Sequence, residues 1–185
     1  IETVDHVRQL KYVQECSNNL ETIEKAKVTK FRGKPYTKIS FKPDYKRLGL
    51  TNLTPGMKSL LKRRVYDLAA VTDKKVKNKY NSSIIPVKHF QQYVDLYIGS
   101  KSDTKRFYEE GSDRWEYAVC LSPTEEFQQV SFVNGIFTSK GGKHVDYILN
   151  QIIKKIQAYI LKRKKVDVKA TTIKEQLMLF LRCDI

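Results

Sequence analysis

The run FQQVSFVNGIFTSKGGKHVDYILNQIIKKIQAYILKRKK, residues 127–165, changes its hydrophobic period in mid-course. Phe127 to Thr138 is rich in aromatic and β-branched side chains, which fit a pleated, half-buried surface. Lys140-Gly141-Gly142-Lys143 then interrupts the pattern. Beyond it Val145, Ile148, Leu149, Ile152, Ile153, Ile156 and Ile160 recur at the spacing that lines one face of a helix. The reading is strand, tight turn and long amphipathic helix. The last turn carries Lys162-Arg163-Lys164-Lys165, where cations complement the negative end of the helix dipole.

Working outward, Trp115 to Ser122 is a second strand-like run, and Pro123-Thr124-Glu125-Glu126 separates it from Phe127, so the two are expected to form an antiparallel pair. His89 to Ile98 predicts a short helix with Phe90, Tyr93, Val94 and Tyr97 on one side. Gly99 to Lys105 reads as an exposed loop, Lys75 to Tyr80 as a lysine-rich strand, and Asn81-Ser82-Ser83 as a turn. Thr54-Pro55 supplies helix-start signals for a helix from 55 to about 70. Tyr36 to Phe41 alternates as a strand, Arg8 to Cys16 holds a shorter one, and Glu21 to Lys34 reads as a loop. Leu177 to Cys183 is a final apolar strand. Strands and helices interspersed in this way point to an α+β fold.

With 185 residues the chain is long enough to bury a sizeable core. Hydrophobic residues at 41% and charged residues at 30% exclude wholesale disorder, and no apolar run reaches the ~18–20 residues of a membrane span. No signal peptide is legible at Ile1. Cys16, Cys120 and Cys183 are too few and too scattered for a disulfide framework or a zinc knuckle, which favours a reducing compartment. The net charge of +15 splits into +5 over residues 1–55 and +10 over residues 56–185. A basic excess of that size in a foldable chain points to a polyanionic partner such as nucleic acid, against the alternative of a merely basic surface.

Local chemistry is sparse. Gly141-Gly142 before a helix can present backbone N–H groups to an anion or simply make a tight strand-to-helix turn, and the turn is the preferred reading. No P-loop, dinucleotide fingerprint, nucleophile elbow or metalloprotease helix occurs, and His6, His89 and His144 lack ligand spacing. His144 is expected to be structural. Glu109-Glu110 and Glu125-Glu126 are expected in polar loops rather than as a catalytic pair. Lys162, Arg163, Lys164 and Lys165 can straddle phosphates, with Lys154 and Lys155 extending the positive surface. A solvated, dipole-matched helix end is the competing account of the same residues. In Lys62-Arg63-Arg64, Arg64 is expected to pair with a core acid rather than to meet DNA.

Six ordered motifs carry a family resemblance. Tyr36-Thr37-Lys38-Ile39-Ser40-Phe41-Lys42-Pro43-Asp44 resembles the T-x-I-x-F-x-P-D strand of eukaryotic-type type IIA DNA topoisomerase II. Arg63 to Ala69 resembles RRxYDIAG, Phe90 to Tyr97 resembles F-x-x-YVDLY, and Arg114-Trp115-Glu116 resembles RWEV. Phe127 to Asn134 is similar to FQQVSFVN, and Thr138 to Tyr147 to TxKGGxHVDY. Departures include Ala70 for the family glycine, Gly135-Ile136-Phe137 within the motif VNSIA, and Leu161 where a lysine is usual.

The resemblance implies that residues 1–55 end a Bergerat-type ATPase domain. It makes residues 56–185 a transducer with a ribosomal-protein-S5-domain-2-like fold, incomplete at its C-terminal end. It further implies an ATP-dependent enzyme that dimerises through its ATPase gate, passes one DNA duplex through another, uses no membrane and resides in the nucleus. ATP and Mg2+ would be held by parts of the parent protein outside this segment, upstream of Ile1 and, for the QTK-loop lysine that reaches the γ-phosphate, beyond Ile185, and no catalytic or cofactor-binding residue is assigned within it. The family's DNA-contacting lysine segment falls on Leu161-Lys162-Arg163, with Lys164 and Lys165 just beyond, which makes Lys162, Arg163, Lys164 and Lys165 the expected DNA-binding residues. Two rivals are a stand-alone nucleic-acid-binding module with an S5-like fold, and a small-molecule kinase of the same fold class, which would need a glycine-rich phosphate loop that the sequence lacks.

Overall fold

A computed structural model describes residues 1–185, which divide into two compact units, Ile1–Pro55 and Gly56–Ile185. The first unit holds β1 (Glu2–Asp5), β2 (Leu10–Val13), β3 (Cys16–Ser17), a single 3-10 turn at Asn18–Leu20, β4 (Thr22–Ile23), β5 (Lys27–Lys30) and β6 (Thr37–Lys38). Four of these strands form a sheet in the order β5-β2-β1-β6, antiparallel throughout, with Tyr12 between Thr3 and Val28. Two sequence expectations change here. Residues 21–34 contain β4 and β5 rather than a plain loop, because β3 and β2 offer them backbone edges that pair regardless of side-chain polarity. The strand expected over Tyr36 to Phe41 narrows to Thr37–Lys38, which meets only Glu2 and Thr3 of β1, leaving Ile39 and Phe41 exposed.

The second unit begins with α1 (Pro55–Val71), whose first helical position suits proline because that N–H has no partner inside a helix. The lysine-rich stretch shortens to a hairpin of β7 (Lys79–Tyr80) and β8 (Ser83–Ile84), turned by Asn81 and Ser82 at positive φ. α2 (Phe90–Ile98) starts where the Gln92 N–H donates to His89 Nδ1 at 3.4 Å, and stops at Gly99 with φ +77°. The remaining elements are β9 (Arg106–Ser112), β10 (Trp115–Leu121), β11 (Gln128–Val133), β12 (Ile136–Phe137), α3 (Lys143–Lys164), α4 (Ala170–Glu175) and β13 (Leu177–Cys183).

The sheet order β12-β11-β13-β10-β9 corrects the expected pairing. β10 and β11 run in opposite directions but do not touch. β13 lies between them, antiparallel to β10 (Ala118 opposite Phe180) and parallel to β11 (Val130 opposite Phe180). The expected strand Phe127 to Thr138 is itself two strands joined at Asn134-Gly135.

A continuous apolar run reads LMLFL in β13 because both of its faces are covered. Met178 and Phe180 join Phe90, Tyr93, Val94, Ala69, Ala70 and Phe132 in one core beneath α1 and α2. Leu177, Leu179 and Leu181 join Val145, Leu149, Ile153 and Ile173 in a second core beneath α3 and α4. Helices on both faces of a mixed sheet give the expected α+β class. Glu109 and Glu110 lie in β9, not in a loop, and Tyr117 of β10 donates its hydroxyl to Glu109 at 2.5 Å. Partial burial first, and that bond second, push the Tyr117 phenol up to about 12.

Candidate nucleic-acid interface

Packing of the apolar stripe Val145, Leu149 and Ile153 against the sheet turns the opposite face of α3 to solvent. Lys154 and Lys155 are exposed on that side, and Lys162 follows Lys155 by seven residues, two turns or ~10.5 Å along the axis. Lys162, Arg163 and Lys164 occupy the last turn. Lys165 ends the helix in the left-handed conformation at φ +58°, its N–H donating to the Leu161 carbonyl at 3.0 Å.

All four cations are exposed, and none has an Asp or Glu oxygen within 4.0 Å. The Arg163 guanidinium sits 5.8 Å from the centre of the exposed Tyr159 ring. Beyond the helix the chain is tied back where Gln157 Nε2 donates to the Val168 carbonyl at 2.8 Å, so the basic end is backed by the second core. A helix end with free carbonyls holds cations at ~0.3–1 kcal/mol each whether or not they meet a ligand, so their position alone is neutral between the two readings. Their lack of carboxylate partners leaves all four charges available to phosphate.

Gly141 and Gly142 make the turn into α3 with φ +69° and +149°. No side chain caps the helix start, and the first turn is held to the sheet where His144 Nε2 lies 3.1 Å from Thr138 Oγ1 and 3.3 Å from Ser131 Oγ, with Asp146 also in that turn. Burial holds the His144 pKa below its ordinary value, against a smaller opposing effect of Asp146. The expected structural role of His144 follows from these contacts.

Arg64 pairs with buried Asp67 at 2.8 Å, as expected, while Arg63 reaches 4.0 Å from the other oxygen. Both guanidiniums lie 4.7–4.8 Å from the centre of the Phe137 ring. The sequence reading missed the partner across the core, Tyr93, whose hydroxyl donates to Asp67 at 2.6 Å and lies 2.9 Å from that of Tyr97. The two tyrosines four apart in the helical stripe were the available signal. It also missed Arg106, whose fully buried side chain meets Asp95 at 2.5 Å and the Gly99 carbonyl at 2.6 Å.

No group of three His, Cys, Asp or Glu side chains is arranged to hold a metal ion. Two hollows, of about 370 and 300 Å3, have mostly apolar linings and no glycine-rich phosphate loop. These residues do not fit a nucleotide with its magnesium, and no chemical step is assigned to them.

A family model for DNA gyrase B matches residues 68–185. DNA topoisomerase 2 of Arabidopsis thaliana is 43% identical over 189 residues, covering 97% of this chain and 13% of that protein. The solved ATPase region of Saccharomyces cerevisiae topoisomerase II superposes with a TM-score of 0.88 at 38% identity, over 98% of this chain and 47% of that one. The ATPase and transducer domains of DNA topoisomerase II from Balamuthia mandrillaris give 0.90 at 32% identity, with the same coverage. The chain thus spans 13% of the length of the Arabidopsis relative and 47% of each solved region.

Proposed function

Since the chain belongs to the DNA gyrase B family, on its eukaryotic-type topoisomerase II branch, we propose that it is the relay segment of an ATP-dependent type II DNA topoisomerase. In this reading residues 1–55 close the ATPase domain and residues 56–185 form the transducer. ATP and Mg2+ bind elsewhere in the parent chain, which acts as a homodimer in the nucleus. The segment transmits nucleotide state toward the DNA-cleavage core during double-strand passage. Lys162, Arg163, Lys164 and Lys165 contact double-stranded DNA.

The observation that carries the reading is the unpaired basic end of α3 in a chain 98% of which aligns with an ATPase–transducer region. Rigidity supports the relay. A helix of 22 residues packed through Val145, Leu149 and Ile153 onto the central strand moves as one body with the sheet, so force on its basic end is felt at β13.

The test uses the full parent polypeptide with Lys162, Arg163, Lys164 and Lys165 changed to Gln. Each lost phosphate contact should reduce the salt slope of duplex binding by ~0.9, and four by ~3.6. DNA stimulation of ATP turnover should fall with it. An unchanged slope removes the DNA-contact assignment. The spread of positive charge over both units favours the alternative of a stand-alone nucleic-acid-binding module. A parent that binds duplex but relaxes no supercoiled DNA with ATP would support that alternative.

A further inference from the structure

Between Glu24 and Asp44 the chain carries no acid, while Lys25, Lys27, Lys30, Arg32, Lys34, Lys38 and Lys42 place seven of its cations there, against a net charge of +15 for the whole. All seven are exposed and none has a carboxylate oxygen within 4.0 Å. The backbone makes this stretch a strap. It leaves the four-stranded sheet at the β5 edge and re-enters as β6 at the opposite edge, passing the inner strands β2 and β1.

The strap is tied down along its length. Phe31 N–H donates to the Gln9 carbonyl at 2.8 Å, and Val4 N–H donates to the Tyr36 carbonyl at 2.9 Å. The Lys11 ammonium lies 5.6 Å from the centre of the Phe31 ring, and the Tyr36 hydroxyl donates to the Glu2 carboxylate. Arg32 Nε rests on Gln9 Oε1 at 3.3 Å, which leaves its other donors free. Glu2 is engaged by Lys11 at 3.0 Å and by Tyr36. Lys38, opposite Glu2 in register, is the one strap cation that feels it, so the open charges are those of Lys25, Lys27, Lys30, Arg32, Lys34 and Lys42. A backbone fixed in advance loses little freedom when the cations it carries meet a ligand.

We infer that this strap is a second contact for the phosphate backbone of a nucleic-acid duplex, in a different unit of the chain from Lys162–Lys165. The inference rests on the reading that the parent protein handles DNA. Cations of one sign with no interspersed acid match a uniform polyanion. Five of the six open charges are lysines, point charges on flexible stems that suit phosphates rather than base edges. Phe31 and Tyr36, the rings that flank Arg32 and Lys34, are turned to partners in the sheet, and the exposed Phe41 lies beyond β6, so no free ring sits among the cations from Lys25 to Lys34 for base stacking, which favours duplex over single strand there.

The experiment measures duplex binding by the full parent polypeptide, by anisotropy of a labelled mixed-sequence duplex across a salt series. The triple variant K30Q/R32Q/K34Q should reduce the slope by ~2.7, ~0.9 for each charge, and the charge-preserving K30R/K34R should keep the parental slope. Combined with the neutralised Lys162–Lys165, the two losses should add. An unchanged slope in the triple variant, with the Lys162–Lys165 loss intact, overturns the strap and leaves the proposed function standing. A loss confined to the triple variant upholds the strap and removes the α3 site. Loss in K30R/K34R as well overturns the inference.

Discussion

Replacing Tyr93 with Phe removes a single oxygen from the core beneath α1 and α2. Tyr93 is 1% exposed, and its hydroxyl donates to Asp67 Oδ1, a carboxylate itself 3% exposed. Without it that oxygen faces only Arg63 Nε at 4.0 Å, beyond hydrogen-bond reach, while Oδ2 keeps Arg64 at 2.8 Å. The ring is retained, and with it the contacts to Phe90 and Phe132. A hydrogen bond to a buried charge contributes ~1.5–3 kcal/mol, and the Tyr97 hydroxyl, on a ring 41% exposed, can turn to water, so the loss should be ~2 kcal/mol.

Urea unfolding followed by Trp115, the sole tryptophan and a residue of β10 in the same unit, should show a lower midpoint at unchanged slope. Tyr97→Phe should cost less than ~1 kcal/mol. Desolvation, and then the bond to Asp67, raise the Tyr93 pKa above its ordinary 10.0. The protonated phenol is therefore favoured in the fold, and its contribution is whole below that value and drains away as pH rises above it. The gap between parent and Tyr93→Phe should narrow at alkaline pH. A loss under ~0.5 kcal/mol, an equal loss for Tyr97→Phe, or a gap that widens with pH would refute the reasoning.

Two further outcomes are expected. His144 has its pKa lowered below the ordinary 6.5, so its contribution is full above that value and is lost as pH falls toward the folded one; His144→Gln should flatten the acid limb of stability from pH ~7 to ~5, and an acid limb of unchanged steepness would count against it. Gly142→Ala places a Cβ 3.2 Å from the His144 ring at φ +149°, and should cost ~1–3 kcal/mol in thermal melts, whereas Gly111→Ala, at an ordinary φ and with its nearest neighbour at 3.8 Å, should stay within ~0.5 kcal/mol; equal effects would contradict the account of this turn.

The long helix was legible because its signal is local and repeated. Seven apolar positions from Val145 to Ile160 leave one register for the buried face, and the glycine pair and the basic run mark its ends. The order of the strands was not legible. Trp115–Leu121 and Gln128–Val133 are neighbours in sequence, and only the doubly buried character of β13 shows that it must enter between them. β9 was hidden by Glu109-Glu110 and Gly111, which read as a polar loop but tolerate a sheet edge where side chains point to water. In the candidate site, four consecutive cations announce themselves, but their freedom from acids depends on which faces the cores leave outside. The strap along β5 reads as a loop because charge masks a strand that backbone pairing alone defines.

The place of β13 also bears on how this protein is born. During synthesis β9 and β10 leave the ribosome together and can zip into a hairpin at once. β11 follows with only the two-residue β12 beside it, and its principal partner is not yet made. Until Cys183 clears the exit tunnel, β10 and β11 each keep an open edge and α3 has no central strand on which to settle. The nascent chain must hold Val130 and Phe132 away from other molecules through the translation of the whole of α3 and α4, so a pause or a chaperone contact in that interval governs the yield of folded protein.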